Sequence, residues 1–520
     1  MALTESRPTT GHTADGSEQS ASFSNSPMTV LGSGDHKSIG VVYIVAGLLF
    51  GIAGWIASAV LSAHQASDFL SDNAYLTLLS HSRVGLILLA VIPIFIGIGT
   101  YVVPLQVGAN TIAFPRAAAM ALWTWLISSA VLIVANCIDG GLTGGSEKAF
   151  VLGLLSLAAV VLSLCLAAIC VVTTVVALRT PGMRLDRVPM TSWSLFIACS
   201  VWLITLPAIV AELLLIWVDV RYGNAQTFSA EGVPWQMVSW ISTQPQVYAA
   251  LLPAFGILAD VIATMSGRRL PQRNLFLGAI GAFGVLSVGV YAQRVLYPDY
   301  ADQAVWVGMS ILIVLPVLLM FAVVGSALKA GKPKLASPFA LSVITLLVAL
   351  LGTLAGALLV ISPLELRETD AFAMGQFNLI VGAALIGAVA GLMYWAPKIT
   401  GRKAVDAIGG LNVLVLLGGA VLAGLPMCII GFSTRFTGLE GATDALTWVS
   451  AVGCVLLAVG ALLGLLGLLS AARRGAEEAG PNPWESGQTL EWACDSPPPT
   501  GNFGELAVVR SAEPLLDEEA

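Results

Sequence analysis

The chain has 520 residues, of which 57% are hydrophobic and only 11% charged. That balance excludes a soluble globule and describes a polytopic membrane protein. The formal net charge of −7 identifies no partner, because the charges are segregated by side; membrane lipid is the expected surrounding, and no nucleic-acid partner is expected.

Residues 1–35 are rich in Ser, Thr and Gly, lack the apolar core of a cleavable signal peptide, and read as a disordered tail. Twelve apolar segments long enough to span a bilayer follow, at 40–63, 82–103, 117–138, 150–178, 193–218, 236–265, 274–297, 303–328, 338–362, 372–395, 406–432 and 445–472. The connections are short, so successive helices are expected as antiparallel neighbours in one membrane domain, 36–472. A polar cytoplasmic tail, 473–520, closes the chain. The expected fold is therefore all-α, with twelve transmembrane helices.

Basic residues give the orientation. With the N-terminus in the cytoplasm, sixteen Lys and Arg fall on cytoplasmic connections and only four, Lys148, Arg221, Arg367 and Arg435, on outer ones. Both termini are then cytoplasmic, and the protein is a multi-pass protein of the cell (inner or plasma) membrane. The seven cysteines form no C-x-x-C pair and lie mostly in apolar spans. They read as small buried hydrophobes.

Polar residues inside spans stand out, because hydrocarbon leaves such groups unpaired. Arg83 and Arg294 lie near outer helix ends, as does Glu212, whereas Asp260 is near a cytoplasmic end. Glu212 with Arg83 or Arg294 is a candidate buried pair; snorkelling of each arginine to the interface is the alternative. The stretch Gln244-Pro245-Gln246-Val247-Tyr248 is the most unusual. Pro245 frees a backbone carbonyl one turn back, and the polar side chains around it need a protein interior. Such a cluster is either a kinked helix with satisfied polar packing or a site, or what remains of one.

The order of residues resembles subunit I of the haem-copper oxidases, of the cytochrome c oxidase type. Asp35-His36-Lys37 is similar to that family's entrance to helix 1. Pro104-Leu105-Gln106-Val107-Gly108-Ala109 and Ala113-Phe114-Pro115-Arg116 resemble the loop after helix 2. Val247-Tyr248 and Leu252-Pro253-Ala254-Phe255-Gly256-Ile257 resemble helix 6. Tyr394-Trp395 and Pro397-Lys398-Ile399-Thr400-Gly401-Arg402 resemble the end of helix 10, and Thr489-Leu490-Glu491-Trp492 and Ser496-Pro497-Pro498-Pro499 the tail. The resemblance implies the twelve-helix arrangement of that family with both termini inside.

A working subunit of that family implies six histidines, two on a low-spin haem, one on a high-spin haem and three on copper. This chain has four, His12, His36, His64 and His81. The family's helix 6 His-Pro-Glu-Val-Tyr is Gln244-Pro245-Gln246-Val247-Tyr248 here. Its helix 7 His-His falls on Gln293-Arg294, and its helix 10 His-x-His near Gln376-Phe377-Asn378. Met320 and Thr111 stand where the proton-path lysine and aspartate are implied. Of the paired arginines that hold haem propionates, Arg435 persists and Thr434 replaces the other. Gln244, Tyr248, Gln293, Arg294, Gln376 and Asn378 thus mark degenerate metal-site positions.

The position of the helix 2 haem ligand, eleven residues before Pro93, is Ser82; His81 is its neighbour. A one-residue slip turns a helical side chain by about 100°. His81 is either an outer-interface histidine or a residual low-spin haem ligand, in which case Met374 would be a second axial ligand. Arg294 would place a fixed cation where copper sits in the relatives, with Glu212 as its partner or with an anion or quinone carbonyl as its ligand.

The resulting expectation is a cytochrome c oxidase subunit I-like pseudoenzyme: no catalytic residue, no copper, no high-spin haem and at most one low-spin haem. It would serve as a structural or assembly subunit of a respiratory-chain complex, beside subunits of the II or III type. Two alternatives stay open: a redox-active terminal oxidase subunit with an incomplete haem set, and a binding or transport protein using the vacated cavity.

Overall fold

Apolar runs of this length satisfy their backbone groups in hydrocarbon by becoming helices, and the structure, a computed structural model, bears this out. It describes residues 34–139, 141–143, 146–222, 233–289, 304–364, 366, 370–403, 405–433, 442–473, 476–504, 506 and 508–518, and for 233–245 only the course of the backbone. All named elements are helical: α1 (His36–Ser67); α2 (Asp72–Ser80), running through a π-helical stretch (His81–Val91) into α3 (Ile92–Gln106); α4 (Pro115–Asp139); α5 (Glu147–Ala177); α6 (Met190–Tyr222); and α7 (Val233–Ser266). There follow α8 (Arg273–Ser287), α9 (Ala304–Leu312), α10 (Val314–Ala330), α11 (Ser337–Leu359), α12 (Asp370–Thr400), α13 (Asp406–Ser433), α14 (Thr443–Ala471) and the short α15 (Pro514–Glu518).

Among the described residues, eleven helices are long and apolar enough to cross a membrane, with α9 and α10 forming one of them. The seventh expected span is represented by α8, which has 15 residues; the part of that span from 290 onward lies outside the described residues. Side-chain caps set several helix starts. Asp35 accepts the Lys37 amide at 3.2 Å, and Ser146 accepts that of Ala149 at 3.3 Å.

Three spans have their apolar centres buried within the bundle: Ala74–Gln106, Gln246–Ser266 and Asp370–Thr400. They carry the described positions singled out by sequence on α7, on α12 and in the π-helical stretch. Small residues let the surrounding helices close on them. A Cβ on Gly40 of α1 would stand 2.7 Å from the Gly97 carbonyl of α3, and one on Gly97 would stand 2.7 Å from that of Gly40. The cysteines are all free: six are buried and Cys137 is exposed.

The C-terminal segment, polar by sequence, packs as a cap on the basic end of the bundle. Glu491, Trp492 and Asn502 are buried. Lys398, itself buried, donates to the Cys494 carbonyl at 2.6 Å and the Pro481 carbonyl at 3.1 Å. The chain's start meets the same cap, with Lys37 Nζ donating to the Pro499 carbonyl at 2.9 Å. A tail rich in Pro and Gly forms few backbone hydrogen bonds of its own, so its carbonyls are free to receive these lysines.

Candidate functional site

Tyr248 is buried on α7, and its hydroxyl receives the side-chain amide of Gln376 from α12 at 2.9 Å. Its ring meets Phe283 edge-on at 6.1 Å. Gly356 of α11 makes the approach possible: a Cβ there would lie 1.8 Å from the Tyr248 hydroxyl and 2.9 Å from Gln376 Nε2. Gln246, two residues before Tyr248 and fully buried, accepts the Thr205 hydroxyl of α6 at 3.4 Å. Two residues along α12, Asn378 donates to the Ala423 carbonyl of α13 at 3.0 Å, and Ser450 of α14 donates to the same oxygen at 2.9 Å. A carbonyl has two lone pairs and serves both. Tyr248, Gln376 and Asn378, named from sequence, are thus used for bonds between helices.

The π-helical stretch carries His81, Ser82 and Arg83 past α12. His81 is half-buried and its Nδ1 lies 2.9 Å from the Thr77 carbonyl; the Ser82 hydroxyl donates to the Leu79 carbonyl at 3.1 Å. Both turn back onto their own helix. The Arg83 guanidinium lies over the Phe377 ring, 5.3 Å from its centroid, a cation–π contact that suits a cation with apolar neighbours. No ion pair joins Arg83 to Glu212 among the described residues, and Glu212 is half-buried on α6. Met374 is buried, and its sulfur receives the Gln65 amide at 4.0 Å. Met320 is buried as well. Gln293, Arg294, Thr434 and Arg435, and the Gln244 side chain, lie outside the described residues.

A second buried polar cluster sits where the bundle meets its C-terminal cap. Asp260 of α7 accepts the backbone amides of Met190 at 3.1 Å and Thr191 at 2.9 Å, the first turn of α6. A carboxylate there answers both the orphan amides and the helix dipole. Gln106, at the end of α3, completes the arrangement. Its Oε1 accepts the Ser192 amide and hydroxyl, at 3.1 and 2.7 Å. Its Nε2 donates to Asp260 Oδ2 at 3.1 Å and to Glu491 Oε1 at 3.0 Å. Trp395 Nε1 reaches the same Glu491 oxygen at 3.4 Å. Sequence reasoning picked out Asp260 but not its partners; the signal available was that Gln106 and Glu491 both stand in motifs shared with a family.

Residues 38–456 match the family model described as Cytochrome C and Quinol oxidase polypeptide I. The chain belongs to this family. It is 27% identical to the putative cytochrome c oxidase subunit 1-beta of Streptomyces avermitilis, over 93% of this chain and 90% of that one. It is 27% identical to the cytochrome c oxidase subunit 1 of Bacillus subtilis, over 93% and 82%. It is 29% identical to the heme-copper oxidase subunit I+III of Aeropyrum pernix, over 94% of this chain and 63% of that fused protein. This cytochrome and quinol oxidase polypeptide I family accounts for the all-helical, multi-pass architecture; what this member does rests on its own side chains.

Proposed function

We propose that this member of the family is a non-catalytic, structural or assembly subunit of a membrane respiratory complex, with both termini cytoplasmic and subunits of the II or III type as partners. The observation that carries the reading is the Gln376–Tyr248 hydrogen bond, closed over by Gly356. In the family pattern a His-x-His falls near Gln376-Phe377-Asn378, and no histidine is available in either register; here Gln376 is a neutral amide whose nitrogen is spent on a phenol.

The residues present do not fit a haem-copper centre. Side-chain amides lack the imidazole lone pair that suits iron and copper. Asn378 is engaged with a backbone carbonyl, and Ser82 with its own helix. Among the described residues no group of three or more His, Cys, Asp or Glu could hold a metal ion. The fusion of subunits I and III in the Aeropyrum pernix relative supports a partner of the III type.

The test is a visible absorption spectrum with metal analysis of the purified protein. The expected result is no copper and no haem band that responds to carbon monoxide. Stoichiometric copper, or such a band, overturns the reading. A Soret band abolished by His81→Ala would instead identify a residual low-spin haem.

A further inference from the structure

Glu491 belongs to the C-terminal cap, yet it is fully buried against the ends of α3, α7 and α12. Its Oε1 is occupied by Gln106 and Trp395. Its Oε2 is buried without a hydrogen bond of good geometry, with the Thr489 side chain beside it. Through the single nitrogen of Gln106, Glu491 shares a donor with the Asp260 carboxylate, which already holds two backbone amides. A second buried anion beside the first is opposed by it, and one of its oxygens has no hydrogen bond of good geometry.

We propose that Glu491 is a proton-binding site that governs docking of the C-terminal segment: the segment seats while Glu491 carries its proton and loosens when the proton leaves. A cavity of about 20 Å³, room for one water, is lined by Asp260 and Thr489 together with Arg273 and Glu513. It lies beside the cluster, on the Asp260 and Thr489 side.

The groups facing Glu491 are Asp260 from α7, Gln106 from α3, and Tyr394, Trp395 and Lys398 from α12, with Thr489 and Cys494 from its own segment. Lys398 is the one cation among them, and it is engaged with the carbonyls of Pro481, Cys494 and Asp495. Burial first, and then the Asp260 carboxylate, push the Glu491 carboxyl up to about 7. Released from the bundle, Glu491 returns to the ordinary value of 4.5. The undocked state therefore gives up its proton first as pH rises. Docking is firmest in acid, weakens between the two values and levels off above the higher one. The exposed pair Lys334–Glu485, also in this cap, acts with the opposite sign: the lysine lowers the Glu485 carboxyl, and protonating it removes the attraction.

The test is amide hydrogen exchange of the full chain in detergent, corrected for intrinsic rates, read over 488–495 with α14 as the internal reference. In the wild type, protection of 488–495 relative to α14 should fall by up to roughly 10²-fold between about pH 5 and pH 8. Glu491→Gln should remove that slope, and Glu491→Asp, which keeps an ionisable group, should retain one. Glu491→Gln also separates Glu491 from His36, which meets Asn502 elsewhere in the segment. A flat wild-type profile overturns the proposal without any variant, and so does an undiminished slope in Glu491→Gln.

Discussion

The Gln376 amide of α12 and the Tyr248 hydroxyl of α7 meet at 2.9 Å, beneath a glycine that leaves no space for even one added carbon. Two residues that sequence assigns to a degenerate metal site thereby join α7 to α12. The tightness of this join makes it testable.

Gly356→Ala should destabilise the protein by about 1–3 kcal/mol, because the new Cβ forces the tyrosine hydroxyl to move. Tyr248→Phe removes that hydroxyl, so the double variant should recover part of the loss. Thermal unfolding in detergent measures both; strictly additive losses would show that the clash is elsewhere.

Asp260→Ala should cost about 1.5–3 kcal/mol, the usual value of hydrogen bonds to a charged acceptor. It strands the Met190 and Thr191 amides and one Gln106 hydrogen. Asp260→Asn keeps an acceptor oxygen and should lose less. Equal losses in the two variants would contradict the role of Asp260 as the acceptor at the start of α6.

Lys398→Met should loosen the C-terminal cap at every pH, since three carbonyls lose their donor at once and an unpaired buried acceptor costs about 1–3 kcal/mol. Hydrogen exchange over 481–495 reads this directly. Wild-type protection in Lys398→Met would mean that the lysine is not what anchors the segment.

Arg294→Met and Glu212→Gln should each lower thermal stability, and the double variant should recover much of the loss. Breaking a buried pair typically costs about 3–5 kcal/mol because one charge is stranded, and removing both strands nothing. Arg294 lies outside the described residues, so this expectation rests on sequence and on the half-buried position of Glu212 within α6. Additivity would move Arg294 to an anion- or quinone-binding role.

Much of the protein was legible from residue types alone. Apolar run length is a local property, set by the thickness of hydrocarbon, and it placed helices such as α13, expected at 406–432 and found at Asp406–Ser433. The lack of histidine at Gln376 and Asn378 was equally plain, because ligand chemistry depends on the identity of a side chain and not on its surroundings. Partnership is different. Whether Arg83 pairs with Glu212 or lies over Phe377 depends on which helix faces it, and no periodicity states that. The tail read as a polar cytoplasmic segment, and although its motifs resemble a family, a sequence rich in Pro, Gly and charge does not state which helix ends it will cover. Only the tertiary structure brought Glu491 to Gln106, 385 positions away. A buried carboxyl selects its donors after the helices have packed, from whatever groups their ends leave unpaired.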